Sequence, residues 1–184
     1  FLIETLLDNV KSQGKLYFDG PRSLGYGGYK SRDEYWLDFI DELIDNFQIN
    51  NTNSVLDIGC AKGYFVESML KRGFQKCYGI DSSKYAITES PKSVRDNLIN
   101  ASLLKIPFPT DFFDFSICVD VLQEINEEMI PAALREINRI SRNSLIIVPA
   151  IRNNQEKEVM RNWSITAQTL KTKDEWDEIL KLNN

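Results

Sequence analysis

The sequence predicts an α/β fold: a doubly wound, mostly parallel sheet with helices on both faces. Short apolar segments alternate along the chain with segments of helical pattern, which is typical of consecutive βαβ units. The first apolar segment, residues 54–58, leads into a glycine turn and then a helical run, the layout of a nucleotide-binding βα unit. The last, residues 144–148, is apolar enough to predict a central strand.

The first 50 residues are expected to form a helical and lid region. Residues 2–12 have the pattern of a short amphipathic helix, and residues 13–30 form an irregular, glycine-rich loop that contains several aromatic residues. Loops of this length in compact domains are often functional. Residues 31–47 give the clearest helix, because their apolar residues form one stripe at helical spacing.

The remaining segments complete a single domain of residues 1–184, with a ligand-binding core at 54–149 and a helical segment at 150–184. The predicted strands cover residues 54–58, 77–80, 98–99, 113–119 and 144–148. The predicted helices cover residues 62–72, 82–89 and 131–140, and two more lie within 153–184. Thr172 and Glu175 have the spacing of a capping box for the last helix.

The composition excludes several classes of protein. A content of 42% hydrophobic and 27% charged residues is that of a soluble globular domain, and no apolar run approaches the ~20 residues of a membrane span. The three cysteines stand singly and histidine is absent, so we predict no disulfide framework, no metal site and a cytoplasmic location. The net charge of −5 argues against a nucleic-acid partner. The sequence carries no signal for a particular oligomeric state.

The ligand of such a sheet binds beyond the carboxyl ends of the strands. Asp81 follows Gly59 by 22 residues, the spacing at which an acidic residue can accept hydrogen bonds from ribose hydroxyls. Two alternatives stay open: Asp81 as a helix N-cap, and a strand–turn–helix without a ligand. Tyr64 stands where a dinucleotide fingerprint needs its third glycine, which disfavours NAD, FAD and a nicotinamide oxidoreductase.

Four stretches together resemble class I (Rossmann-like) S-adenosylmethionine-dependent methyltransferases, of the methyltransferase-domain type that acts on small molecules. V-L-D-I-G-C-A-K-G-Y-F (55–65) resembles their first motif and G-I-D-S-S (79–83) their second. Residues 103–125 resemble the stretch around their fourth strand, and residues 134–149 the helix and fifth strand that follow. The resemblance spans residues 54–149, in the family's order, and implies S-adenosylmethionine as cofactor and S-adenosylhomocysteine as product.

The resemblance also implies roles for individual residues. Asp57 organises the loop after the first strand, Asp81 accepts the ribose hydroxyls, and Ser82 lies near the adenine. Ser102 stands where the family often has an aspartate, so its hydroxyl or the Leu103 backbone takes the adenine contact. The residues implied to contact the cofactor are Asp57, Gly59, Cys60, Ala61, Asp81, Ser82, Ser102, Leu103 and Val119.

No catalytic base is assigned from the sequence. The weak candidates are Asp120, Glu124, Tyr26 and Tyr29; Glu124 stands where the family often carries a histidine. Surface charge is the alternative for Glu124, and lid packing for the tyrosines. Arg22 and the two tyrosines are also candidates to contact the methionine carboxylate or to close the site.

We therefore predict methyl transfer from S-adenosylmethionine to an unidentified, small-molecule acceptor. The alternative is a catalytically silent, methyltransferase-like binding or partner subunit. The family's fold ends in antiparallel strands after the helix that matches residues 173–182, and the sequence stops at Asn184. We expect those strands to be absent from this sequence, and residues to precede Phe1.

Overall fold

A five-stranded sheet stands at the centre of the computed structural model, which describes residues 10–31 and 33–182. All four pairs of neighbouring strands are parallel, in the order β3-β2-β1-β4-β5. The strand order reverses between β1 and β4, which is the switch point where such sheets bind ligands. The strands are β1 (Ser54–Ile58), β2 (Lys76–Asp81), β3 (Leu98–Asn100), β4 (Phe115–Val119) and β5 (Ser144–Ile147).

Helices connect the strands and flank the sheet. They are α1 (Lys15–Asp19), α2 (Asp33–Phe47), α3 (Tyr64–Lys71), α4 (Lys84–Thr88), α5 (Ile130–Ile140), α6 (Asn154–Trp163) and α7 (Lys173–Leu182). Short 3-10 turns occur at Arg22–Leu24, Arg95–Asn97, Leu122–Glu124 and Glu127–Met129. A second, two-stranded parallel sheet pairs β6 (Ala150–Ile151) with β7 (Lys171–Thr172).

The core has two layers because alternate residues of each strand face opposite sides of the sheet. Val55 of β1 packs in the layer that α2 and α3 cover. Its neighbour Leu56 packs in the layer beneath α5 and α7, where Trp176 is buried. Complete burial of one such aliphatic side chain contributes about 1.5–3 kcal/mol. The prediction of helices on both faces is confirmed.

The predicted β5 is present, but among the described residues it pairs with β4 alone and so lies at the edge of the sheet and not at its centre. Leu145 and Ile146 are half-buried against opposite faces, and Ile147 is 37% exposed. The apolar sequence shows that both faces of this strand are covered, because each side chain meets one layer of helices. It does not determine how many strands pair with β5. The predicted central position is therefore wrong for the described part of the chain.

The segments before β1 and after β5 depart in part from expectation. The predicted loop at 13–30 contains α1 and a 3-10 turn, because Tyr17 and Phe18 are buried and fold the chain around them. Of the predicted helix 2–12, residues 10 and 11 are helical, and residues 2–9 lie outside the described residues. Both helices predicted within 153–184 are confirmed.

The capping box of α7 is also confirmed. The backbone N–H of Thr172 donates to Glu175 Oε2 at 2.7 Å, and the N–H of Glu175 donates to Thr172 Oγ1 at 3.3 Å. Between residues 33 and 182, no antiparallel strand joins the five-stranded sheet. In the described part of the chain, no helix is both long and apolar enough to cross a membrane.

The docking of α7 is expected to depend on Trp176, which is 2% exposed and donates from Nε1 to the Pro149 carbonyl at 3.1 Å. Trp176→Ala should lower the free energy of unfolding by about 3–5 kcal/mol, through lost burial and the cavity left behind. Trp163→Ala is the matched control, because Trp163 is 56% exposed, and should cost less than about 1 kcal/mol. Equal losses in urea titrations of the two variants would contradict this assignment.

Candidate functional site

A cavity of about 570 Å³ opens at the carboxyl ends of β1, β2 and β4. Its volume is within the range of small-molecule sites, roughly 300–1,000 Å³. The loop after β1 and Asp81 form its floor, and the turn after β4 forms one wall. Residues 11–26 supply side chains to the opposite side, and residues 165–168 complete the rim.

The loop after β1 needs backbone conformations that favour glycine. Gly59, Ala61 and Gly63 have φ angles of 80°, 50° and 77°, all in the left-handed region. A Cβ on Gly59 would lie 2.2 Å from Cγ2 of Val121, so only glycine fits there. Ala61 adopts the same region at a cost of about 1 kcal/mol. The N–H groups of Gly59 and Cys60 both donate to the Ile80 carbonyl, at 2.8 and 3.0 Å, which ties the loop to the end of β2.

Asp81, the last residue of β2, connects this loop to α4. Its Oδ2 accepts from the Ala61 N–H at 2.8 Å and its Oδ1 from the Ser83 N–H at 2.7 Å. The N-cap of α4 is Ser83, whose Oγ accepts from the Ala86 N–H at 3.1 Å. The alternative of Asp81 as the helix N-cap is therefore wrong. Each carboxylate oxygen keeps a lone pair that a ligand hydroxyl could donate to.

Asp57 lies beneath the loop, buried in β1 and outside the cavity wall. Burial raises the pKa of its carboxyl to about 8, and the nearby charge of Asp81 adds to the effect. Burial also raises the pKa of Asp81, against the two backbone N–H donors that lower it. Two buried acids, Asp81 at the floor of the cavity and Asp57 beneath it, thus lie close together, and ionising both at once costs free energy.

An aromatic cap, residues 15–29, packs over the loop. Its rings contact one another, with centroid separations of 5.2 Å for Tyr17 and Phe18 and 4.7 Å for Tyr26 and Tyr29. Burial raises the pKa of the Tyr17, Tyr26 and Tyr29 hydroxyls, so all three remain neutral hydrogen-bonding groups at neutral pH.

An ion pair between a buried lysine and a more exposed aspartate joins the aromatic cap to the glycine loop. Lys62, 6% exposed, donates from Nζ to both carboxylate oxygens of Asp19 at 2.7 Å. The Tyr85 hydroxyl also donates to Asp19, at 2.7 Å. Although burial opposes it, these two hydrogen-bond donors hold the pKa of Asp19 below its usual value. A second tie is the Ser83 hydroxyl, which donates to the Gln13 carbonyl at 2.6 Å.

The wall after β4 carries two further acids, Asp120 and Glu124. Glu124 Oε1 accepts from the Ser164 hydroxyl at 3.0 Å. Burial raises the pKa of both carboxyls. The neighbouring Gln123 carbonyl accepts from the N–H groups of Gln168 and Thr169 at 2.8 and 3.0 Å, which holds the chain after α6 against this wall.

Most of the residues implicated by sequence line this cavity. They are Tyr26, Gly59, Ala61, Asp81, Ser82, Ser102, Leu103, Asp120 and Glu124. Besides Asp57, three others do not: Cys60 places its thiol beside Gly79, Val119 packs in the core, and Tyr29 stacks on Tyr64. Arg22 lies outside the wall as well, because its guanidinium donates to the Gly25 carbonyl and covers the Trp163 ring.

Other residues that line the cavity were not predicted from the sequence. Tyr17 lies in the aromatic stretch that was assigned to a lid, and Val121 follows Asp120 directly, so both had a signal. Residues 165–168 had none, because hydrogen bonds to Gln123 bring them to the cavity from a region assigned to helices. Within the described ranges, no group of three or more His, Cys, Asp or Glu residues is arranged to hold a metal ion.

Comparison with known proteins identifies the family. Residues 56–148, just over half of the chain, match the sequence model of the methyltransferase domain family. The chain belongs to that family. An uncharacterized protein of Methanocaldococcus jannaschii is 28% identical over 145 residues, which cover 77% of this chain and 61% of that protein. This methyltransferase domain therefore spans less than two thirds of that relative's length.

Solved structures share the fold of this methyltransferase domain. An S-adenosylmethionine-dependent methyltransferase from Archaeoglobus fulgidus superposes with a TM-score of 0.66 at 17% identity, over 89% of this chain and 71% of its own. The cyclase SpnF has the same TM-score of 0.66 and 17% identity, over 99% of this chain and 68% of its own. These similarities confirm the prediction of the class I, Rossmann-like methyltransferase fold.

The buried acid under the loop predicts a pH dependence of stability. The folded domain holds the Asp57 proton with a pKa of about 8, whereas the ordinary pKa of an aspartate is 3.8, so the stability that this proton contributes is lost as pH rises between those values. Asp57→Asn removes this titration. Without ligand, its free energy of unfolding should rise relative to wild type by a few kcal/mol between pH 4 and pH 9, at about 1.4 kcal/mol per pKa unit.

The exposed Asp96→Asn is the control for the Asp57 experiment, because it removes the same charge at the surface. Its stability should stay parallel to that of wild type throughout the titration. A difference between wild type and Asp57→Asn that is independent of pH would contradict a raised pKa for Asp57.

The Lys62–Asp19 pair is expected to hold the aromatic cap in place. Lys62→Met should lower the hydrogen-exchange protection of the Tyr26 and Tyr29 amides, which donate to carbonyls within the cap, by tenfold to hundredfold. Lys71→Met, whose side chain is 53% exposed on α3, is the control and should leave that protection unchanged. Protection lost equally across the whole molecule would contradict a local tie.

Proposed function

We propose that this methyltransferase domain binds S-adenosylmethionine in the cavity and transfers its methyl group to a small-molecule acceptor. The observation that carries the proposal is the position of Asp81. A buried carboxylate at the end of β2 keeps lone pairs beside a glycine loop, at the edge of a cavity of about 570 Å³. That arrangement suits two adjacent ribose hydroxyls as donors.

The surrounding residues fit the rest of the cofactor. Gly59 and Ala61 line the cavity with no side chain larger than a methyl group, so the chain of a methionine moiety could lie along the loop. Ser82, Ser102 and Leu103 lie on the cavity wall on the side of β2 and β3, where they suit the adenine. The Ser102 Oγ already accepts from the Leu104 N–H at 3.1 Å, which leaves its own proton for a ring nitrogen.

The chemistry that this chain contributes is positioning and exclusion of water. Bound S-adenosylmethionine would supply an activated methyl group on a sulfonium sulfur. The wall formed by Asp120 and Glu124 would hold the acceptor, whose reacting atom must approach to about 3–3.5 Å. Residues of the aromatic cap line this space, and a cavity of this volume suits a small molecule as acceptor.

A second candidate function is binding without methyl transfer. The similarity to the cyclase SpnF, which covers 99% of this chain, favours this candidate. SpnF is named for a different activity, so the same fold does not require methyl transfer. The absence of histidine from the chain also removes the family's frequent base. Transfer of labelled methyl from S-adenosylmethionine to any pool of small molecules would decide against this candidate.

Binding of S-adenosylhomocysteine, measured by calorimetry, tests the cofactor proposal. Asp81→Asn should weaken it by about 1.5–3 kcal/mol, the usual cost of a lost hydrogen bond to a charged group, which is roughly tenfold to hundredfold. Thermal unfolding without ligand checks that the variant folds. The exposed Asp96→Asn should bind as wild type does. No heat of binding with the wild-type protein would overturn the proposal.

A further inference from the structure

Glu124 is a partly buried carboxylate with an incomplete set of hydrogen bonds at the cavity wall. Its Oε1 accepts from Ser164, but its Oε2 is buried and makes no well-formed hydrogen bond in the described part of the chain, although the Thr166 hydroxyl lies nearby. A buried acceptor without a donor costs about 1–3 kcal/mol, and more when it is charged. The site therefore favours an occupant that brings a hydrogen-bond donor to Glu124.

The backbone around Glu124 is held in place before any ligand arrives. Glu124 ends the 3-10 turn Leu122–Glu124, and its own carbonyl accepts from Gln168 Nε2 at 2.6 Å. The Thr169 hydroxyl donates to the next carbonyl, that of Ile125, at 2.9 Å. The carboxylate thus projects from a segment fixed on both sides, which suits it to orient a bound group.

The charge of the cavity selects the kind of occupant. Beyond Asp81, assigned above to the ribose, the wall carries the carboxyls of Asp120 and Glu124. Among the described residues that line the cavity, Lys11 is the only basic one, and it lies at the exposed N-terminal side. A carboxylate or phosphate in this space would meet like charge, whereas a cation would be attracted.

The opposite side of the cavity is aromatic. Tyr17, Phe18 and Tyr26 line it together with Glu124, and the pKa of both tyrosine hydroxyls is raised mainly by burial and further by the charge of Glu124. A ring face against a cation adds roughly 0.5–2 kcal/mol. Aromatic rings facing carboxylates form an environment that favours an organic ammonium.

We infer that the methyl acceptor is a small molecule with an amine, and that Glu124 binds the amine and accepts its proton. This inference rests on the proposed function. The bound ammonium first gives one proton to the Glu124 carboxylate, which frees the lone pair of its nitrogen. That lone pair forms a bond to the methyl carbon as the bond from that carbon to sulfur breaks. The electron pair of the broken bond stays on sulfur, leaving a neutral thioether. The methylated nitrogen carries the positive charge, and the proton on Glu124 passes to solvent when the product leaves.

The groups around Glu124 are consistent with a proton acceptor. Burial raises the pKa of its carboxyl and the Asp120 charge adds to this, while the Ser164 and Thr166 hydroxyls act in the opposite direction. Tyr17 and Tyr26 face it from the aromatic cap as neutral hydroxyls. A carboxylate with a raised pKa is a stronger base than one in water, and proton acceptance of this kind contributes typically 10²–10⁴-fold to a rate.

A binding experiment with matched probes tests the choice of an amine. Tyramine, tyrosol and 4-hydroxyphenylacetate share a ring and a two-carbon chain and differ chiefly in the terminal group, which is an ammonium, a hydroxyl or a carboxylate. With the protein saturated by S-adenosylhomocysteine at pH 7, tyramine should bind at least tenfold more tightly than either other probe. Glu124→Gln, which keeps the acceptor for Ser164, should remove that preference.

The control and the kinetic arm separate this inference from the proposed function. The exposed Glu128→Gln, on the adjacent turn, should keep the preference for tyramine. With labelled S-adenosylmethionine, a pool of primary amines should be methylated and Glu124→Gln should lose about 10²-fold in rate. That loss should shrink at high pH, where the amine is already neutral in solution.

Absence of a preference for tyramine, or the same preference in Glu124→Gln, overturns the inference. So does methylation confined to pools of alcohols or carboxylic acids. In each of these cases S-adenosylhomocysteine still binds, so the proposed cofactor stands. Failure of S-adenosylhomocysteine to bind is the different result that would overturn the proposed function itself.

Discussion

The Ile80 carbonyl and the Asp81 carboxylate hold together two strand ends on which the rest of the site depends. The carbonyl accepts from Gly59 and Cys60, and the carboxylate accepts from Ala61, so three consecutive N–H groups of the loop point at the end of β2. Three N–H groups can point one way only if the chain turns through left-handed conformations, which explains the positive φ angles. The burial of Asp57 and Asp81 follows from this close approach.

Lys62 extends the same constraint to the aromatic cap. It belongs to the glycine loop, yet its ammonium is bound by Asp19 at the end of α1. The loop and the cap are therefore linked directly, because displacing the cap would leave the buried charge of Lys62 unpaired. The cap lines one part of the cavity, and partial burial strengthens electrostatic interactions there. That matters most for the acids on the wall after β4.

Features that depend on a few neighbouring residues were predictable from the sequence, and features that depend on distant residues were not. The strands, their helices and the capping box of α7 were predictable because hydrophobic period and local capping chemistry act over a few residues. The placement of β5 at the edge and of Cys60 beside Gly79 was not, because both depend on which segments become neighbours in space. Residues 165–168 reach the cavity for the same reason, through long-range hydrogen bonds to Gln123.

By itself, the sequence determined the α/β fold, the family's motifs and the acidic residue at the end of β2, since each is written in short, contiguous patterns. Tertiary structure alone decided what surrounds those residues. It paired Lys62 with Asp19, which lie 43 positions apart, and placed Glu124 opposite an aromatic cap. Such neighbours arise from chain packing, and they set the burial and charge on which the chemistry of the site depends.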